Sequence, residues 1–195
     1  MERDQLTLRI RNLQKTYSGN VKAVRGIDVD VENQRIYALL GPNGAGKTTV
    51  LKSILGLVNY SGSVEVLGRP IDEVRERISF VPEEKNLYEN LDIESTLRLS
   101  SRISPRFNEK QARELIENYK LPYREKIRTF SNGMKTALYL AVALSTDADL
   151  YILDEPTWGL DPIMRDDTLE LIREKVILGK TVIYTSHIIP EVEKI

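Results

Sequence analysis

The chain has 195 residues, 41% hydrophobic and 29% charged, enough for one domain with a real core or for a core plus a small lobe. Its 28 basic and 29 acidic residues give a formal charge of -1, which offers no support for a nucleic-acid-binding surface. There is no cysteine and a single histidine, so disulfides, thiol chemistry and a histidine-rich metal site are excluded.

The start, Met1-Glu2-Arg3-Asp4, is charged and no apolar run follows, so no signal peptide is read there. Leu6-Thr7-Leu8-Arg9-Ile10 alternates apolar and polar residues as a half-exposed strand does, and Ile27-Asp28-Val29-Asp30-Val31 repeats the pattern. Tyr17-Ser18-Gly19-Asn20 and Glu32-Asn33-Gln34 read as turns. The run Ile36-Tyr37-Ala38-Leu39-Leu40 predicts a buried strand, and Val50 to Leu55 an amphipathic helix.

Between them lies Gly41-Pro42-Asn43-Gly44-Ala45-Gly46-Lys47-Thr48-Thr49, which fits the phosphate-loop pattern G-x-x-x-x-G-K-[ST] in its proper strand–loop–helix context. Glycines let the backbone wrap a phosphate with N–H groups inward, and the helix start adds its partial positive charge. Lys47 is expected to reach the β and γ phosphates of a nucleotide, and the Thr48 hydroxyl to ligate Mg²⁺.

Further on, Ser61-Gly62-Ser63 reads as a turn into a strand over Val64-Glu65-Val66-Leu67, and Ile78-Ser79-Phe80-Val81 as a short strand stopped by Pro82. From about Glu83 to Leu144 the chain turns helical and charged. Asp92 is placed as N-cap of a helix from Ile93 to Ser101. Asn108 with Gln111 makes a capping-box-like start for another to about Tyr119. Ser131 caps a third, Ala- and Leu-rich helix running to Leu144. That start is either an ordinary capped helix or a second helix N-terminus offered to a phosphate. The longest fully apolar run, Ala137 to Leu144, falls far short of the roughly 18 residues of a membrane helix.

Leu150-Tyr151-Ile152-Leu153 predicts a buried strand ending in Asp154-Glu155. A helix follows over about Met164 to Leu178, stopped by Gly179. Thr181 to Thr185 forms the last strand, ending in Ser186-His187. Ligands of open α/β sheets sit at the carboxyl ends of strands. Asp154 is therefore expected to face the ion held by Thr48, and Glu155 to act as general base toward a water at the γ phosphate.

From about Tyr17 to His187 the chain resembles the ATP-binding cassette (ABC) ATPases, the nucleotide-binding domains of ABC transporters. Phe130-Ser131-Asn132-Gly133-Met134 is similar to the family signature, Asp154-Glu155 to its Walker B pair, Gly159-Leu160-Asp161 to its D-loop and His187 to its switch histidine. The resemblance implies a P-loop NTPase core (RecA-like, mainly parallel sheet, α/β) over residues 1–82 and 145–195. It adds an N-terminal antiparallel β subdomain and an inserted α-helical subdomain over 83–144, with the C-terminal part of the usual cassette absent. It implies that Tyr17 stacks on adenine and that Gly41, Pro42, Asn43, Gly44, Ala45, Gly46, Lys47, Thr48 and Thr49 cradle the phosphates. Ser131, Asn132 and Gly133 would meet the γ phosphate of a second, head-to-tail chain, as homo- or heterodimer. Glu155, His187 and Lys47 become the catalytic set.

Glu83 stands where the family usually places a metal-binding glutamine, and a glutamate can still bind Mg²⁺, giving Thr48, Glu83 and Asp154 as its protein ligands. Asn132 replaces a glycine and Met134 a glutamine of the signature, and an arginine expected in the following helix is missing near Thr136 and Val142. The implied function is an ATP hydrolase, cytoplasmic and peripheral on the inner face of the cell membrane, driving an integral membrane transport subunit. The Val-Pro-Glu-Glu variant leans to export. The alternative is a soluble ABC ATPase remodelling a partner such as an iron–sulfur scaffold or the ribosome. A third reading is a sensor that binds ATP without turnover. No Asn-Lys-x-Asp motif is present to favour GTP.

Overall fold

The computed structural model describes residues 6–194, so the charged start at Met1–Asp4 lies outside the described residues. Two sheets form the body. The first is antiparallel, in the order β2-β1-β4, from β1 (Leu6–Tyr17), β2 (Val21–Glu32) and β4 (Ser61–Val66). The second is parallel, in the order β3-β7-β6-β5, from β3 (Ile36–Leu40), β5 (Ile78–Val81), β6 (Leu150–Asp154) and β7 (Thr181–Ser186). Helix α1 (Lys47–Ile54) follows β3. Helices α2 (Ile93–Ile103), α3 (Glu109–Asn118) and α4 (Asn132–Leu144) lie between β5 and β6. Helices α5 (Pro162–Ile177) and α6 (Ile189–Val192) flank β7 in sequence. This is the expected α/β architecture of antiparallel and parallel sheets with helices inserted between strands.

The central strands β6 and β7 are buried at every residue, as strands covered on both faces must be. By contrast β3, expected to be buried, lies at the sheet edge, is only half-buried and ends in the exposed Leu40. Leu150, Ile152 and Ile183 point into a core shared with β1, β2, β4 and α1. Tyr151, Leu153, Val182 and Tyr184 point the other way, into a core continuous with α2, α3 and α4. Helix α4 buries residues most of the way round, Thr136, Ala137, Leu138, Leu140 and Ala141 among them, which explains a composition apolar on every face.

The expected caps form. Asp92 accepts from the Ser95 N–H at 2.9 Å, Asn108 from Gln111 at 3.1 Å and Ser131 from Met134 at 3.2 Å.

Several boundaries differ from the sequence expectation. β1 and β2 run on to Tyr17 and from Val21, because register shifts, with Asn12 at φ 48° and Gly26 at φ 90°, break the polar–apolar alternation. Ser61-Gly62-Ser63 is strand rather than turn, since pairing to Arg11 and Gln14 of β1 overrides its weak propensity. Residues 83–92 carry no helix; helix begins only at Ile93. α5 starts at Pro162, earlier than Met164, because Asp161 Oδ1 accepts from both the Ile163 and Met164 N–H groups and proline suits the first helical position.

Candidate functional site

The last pairs of the parallel sheet are Leu40↔Ser186, Asp154↔Thr185 and Val81↔Leu153. The phosphate loop starts at the residue after Leu40, His187 after Ser186 and Glu155 after Asp154, while Pro82-Glu83 follows Val81. Register alone therefore gathers four distant segments along one edge, where a ligand of an open sheet belongs.

The loop turns through Gly44 and Gly46 into α1, whose first turn begins with Lys47 itself. Gly46 has φ 96°, and a Cβ there would lie 2.5 Å from the Ala23 carbonyl oxygen, so only glycine lets the loop pass this strand. α1 has no capping side chain and no acidic residue in its first turn, leaving its N–H groups for an anion. Lys47 is folded over its own loop, only 9% exposed, donating to the Gly41 carbonyl at 2.7 Å and to that of Pro42 at 3.3 Å. Asn43, Gly44, Ala45, Gly46, Lys47, Thr48 and Thr49 line one cavity together with Glu83, Asp154 and Glu155. Tyr17 stands at the rim, exposed, its hydroxyl 3.5 Å from Thr49 Oγ1 and the Lys15 ammonium 4.8 Å from its ring centre.

The carboxylates are held individually. Thr185 Oγ1 donates to Asp154 Oδ1 at 2.6 Å and accepts the Glu155 N–H at 3.0 Å. Glu155 sits in the left-handed region, φ 46°, a conformation costing about 1–3 kcal/mol for a residue with a side chain. Its Oε2 lies 3.0 Å from His187 Nδ1 and its Oε1 3.7 Å from the Lys47 ammonium. Thr48 Oγ1 donates to Glu83 Oε2 at 3.3 Å.

Among the described residues no group of three or more His, Cys, Asp or Glu side chains is arranged to hold a metal ion by itself. Asp154 Oδ2, however, is buried with no hydrogen-bond partner. A buried oxygen of this kind requires a partner. A hard cation sharing ligands between Thr48, Glu83, Asp154 and nucleotide oxygens would supply one, which is how Mg²⁺ is commonly held. The residues fit the ion.

Ser131, Asn132 and Gly133 form the start of α4 and do not line this cavity. Asn132 lines a second one with Glu83, Lys85, Lys135 and Trp158. A Cβ on Gly133 would lie 2.4 Å from the Gly159 carbonyl oxygen, and Thr136 Oγ1 donates to the Trp158 carbonyl at 3.1 Å. The signature segment and the residues before Asp161 thus pack directly on each other.

Sequence reasoning missed two residues. Thr185 reads from sequence only as strand, although it holds the Asp154 carboxylate and the Glu155 main chain. Lys85 donates to the carbonyls of Pro82, Glu83 (3.1 Å) and Asp154 (3.3 Å). Burial pushes its amine down to about 8, against the opposing pull of Asp154, Glu83 and Glu155. Only the spacing of an amine two residues after Glu83 could have pointed to it.

A strand–glycine loop–helix unit with an acidic pair at the next-but-one strand end defines a P-loop nucleotide-binding protein. The family model described as "ABC transporter" matches residues 24–158. The linearmycin resistance ATP-binding protein of Bacillus subtilis (strain 168) is 37% identical, over 95% of this chain and 63% of its own length. The Nod factor export ATP-binding protein I of Cupriavidus pinatubonensis is 37% identical, over 96% of this chain and 61% of its own length. Among solved structures, an ATP-binding subunit of an ABC transporter superposes with a TM-score of 0.86 at 28% identity, over 96% of this chain and 82% of that one. The chain belongs to the ABC transporter family. It spans a little over three fifths of the length of these curated relatives.

Proposed function

We propose that the chain is the ATP-binding part of an ABC exporter, hydrolysing ATP at the interface of two head-to-tail chains to drive a separate membrane subunit. The observation that carries this reading is the placement of Glu155: strained backbone, an N–H tied to Thr185, and a carboxylate between Lys47 and His187 with Oε1 accepting no hydrogen bond. A carboxylate so held is preorganised to take the proton of a water attacking the γ phosphorus, as the bond to the bridging oxygen breaks and ADP and phosphate form. Lys47 leaves its loop carbonyls for the β and γ oxygens. His187 holds Glu155 in place and reaches toward the γ phosphate. Thr48, Glu83 and Asp154 would hold Mg²⁺, which when bound offsets phosphate charge.

Ser131, Asn132 and Gly133 lie outside the phosphate cavity of their own chain, which supports their serving a second chain's nucleotide. Tyr17 at the rim suits the adenine. Closure follows from ATP bridging two surfaces, and hydrolysis removes the bridge.

No helix among the described residues is long and apolar enough to cross a membrane. A largely apolar groove between the parallel sheet and the segment 83–144, floored by Phe80, Leu87, Leu99, Tyr139 and Val142, offers that partner a surface beside the exposed Tyr88 and Ile103. The names of the relatives, an export protein and a resistance protein, support outward transport.

The test is Glu155→Gln. Turnover is expected to be lost, measured by phosphate release, while ATP accumulates a stable dimer seen by size-exclusion chromatography. Burial of the half-exposed Trp158 at the interface should shift its emission in the same sample. Turnover at the parent rate would remove Glu155 as the base. Recovery of the chain with soluble partners only, from detergent-solubilised membranes and cytosol run in parallel, would favour a remodelling ATPase.

A further inference from the structure

β5 and β6 are parallel neighbours whose last pair is Val81↔Leu153. Beyond that pair the ladder ends, and the carbonyls of Pro82, Glu83 and Asp154 have no further strand to bond. The Lys85 ammonium donates to all three. An ammonium has three donors and no acceptor, so this is its full hydrogen-bonding capacity.

The clamp lies on the wall between two cavities. Lys85 lines the one beneath α4, with Asn132, Lys135 and Trp158. Glu83 lines that cavity and the phosphate cavity as well. The segment 83–92 is also tied at its far end. Lys135 of α4 donates to Glu89 at 2.8 Å, the Arg128 N–H to the Glu89 carbonyl at 3.0 Å and Lys126 to Asp92 at 3.0 Å. Glu83 itself is exposed, and among the described residues its side chain has only the Thr48 hydroxyl at 3.3 Å to hold it. Its main chain is what keeps it facing Asp154.

We infer that Lys85 is a positioning residue for the metal side of the site: by bonding the main chain of Glu83 to the end of β6, it fixes the Glu83 carboxylate opposite Thr48 and Asp154. The inference rests on the nucleotide-site reading above. It goes further in assigning the geometry of that site to an amine outside the phosphate cavity.

The test is a double-mutant cycle of Lys85→Met and Glu83→Gln, with two readouts. One is the Mg²⁺ concentration that half-saturates binding of a non-hydrolysable ATP analogue. The other is kcat and KM for ATP. Lys85→Met is expected to raise half-saturating Mg²⁺ about 10-fold and lower kcat about 10-fold, a loss in the range of misplaced active-site groups. Affinity for the analogue in EDTA should change less than about 2-fold, since the phosphate loop is untouched. In the Glu83→Gln background the same change should cost less than about 3-fold, because neighbouring residues acting through one another are not additive.

Unchanged Mg²⁺ dependence would overturn the assignment. So would an equal loss in both backgrounds, which marks a merely structural lysine, or tighter Mg²⁺ binding, which marks a simple repelling charge. Should Lys85→Met not fold, Lys85→Arg keeps the charge but not the compact three-donor head, and an increase in half-saturating Mg²⁺ of about 3-fold is expected. A parent chain that fails to bind the analogue at all would instead refute the nucleotide-site reading, so the two failures are distinct.

Discussion

At Gly133 the packing leaves no room for a side chain. A methyl group added there would stand 2.4 Å from the Gly159 carbonyl oxygen. Carbon–oxygen contacts settle at about 3.3 Å, so Gly133→Ala forces the start of α4 and the Gly159 segment apart by about 0.9 Å. The obstacle is backbone, not the end of a flexible side chain, and Gly159 is itself at φ 82°, leaving little room to yield. Overpacking of this kind costs about 1–3 kcal/mol of stability, and each kcal/mol lowers Tm by about 2–4 °C in a domain of this size.

The functional cost is larger. Displacements near 1 Å in a positioned site cost about 100-fold in rate, and here they strike the segment proposed to meet the opposing chain's nucleotide together with the Gly159 segment packed on it. Steady-state ATPase at 25 °C, where the variant remains folded, should therefore show kcat reduced about 100-fold, with nucleotide binding to the isolated phosphate loop little changed. Thr136→Val separates packing from phosphate contact. It deletes the hydroxyl that donates to the Trp158 carbonyl without adding volume, and should lower kcat several-fold. Gly133→Ala with the turnover of the parent would refute the coupling of the two segments.

Two further outcomes follow from the same geometry. Gly46→Ala must hold φ near 96° with its methyl 2.5 Å from the Ala23 carbonyl oxygen, so titration with a fluorescent ATP analogue should show nucleotide binding lost. The Asp92 carboxylate accepts from Ser95 and pairs with Lys126, which holds it well below the usual carboxylate range. A depressed carboxylate stabilises the fold above its unfolded pKa and is lost as pH falls through the folded one. Asp92→Ala should thus be less stable than the parent in urea at pH 7, with the gap narrowing below about pH 4; a gap that widens in acid would contradict the ion pair.

How much of this was legible in the sequence depends on how local the controlling interaction is. The phosphate loop, the caps at Asp92, Asn108 and Ser131, and the buried strand at Leu150–Asp154 are set within a few residues by side chain–backbone bonds and by runs of apolar residues, and the structure has them where the pattern puts them. The equally apolar Ile36–Leu40 forms its strand but at the sheet edge, half-buried, a place no local pattern encodes. The full lengths of β1 and β2 escaped because register shifts scramble the alternation on which a strand is recognised. Ser61 to Ser63 escaped because their pairing partner lies some fifty residues upstream. The site shows the same division. Its residue types were readable one motif at a time, but Thr185 and Lys85 were not, since neither has a chemical signature until β6 is laid between β7 and β5.

Register is therefore what turns separate motifs into one site. Because side chains alternate with a period of 2, a one-residue slip of β7 on β6 would turn Thr185 away from Asp154 and carry His187 off Glu155. Leu150 and Ile152 on one face, and Tyr151 and Leu153 on the other, pack into two different cores, and those cores forbid the slip. The apolar residues of β6, which touch no phosphate, are in this sense what aims the carboxylates.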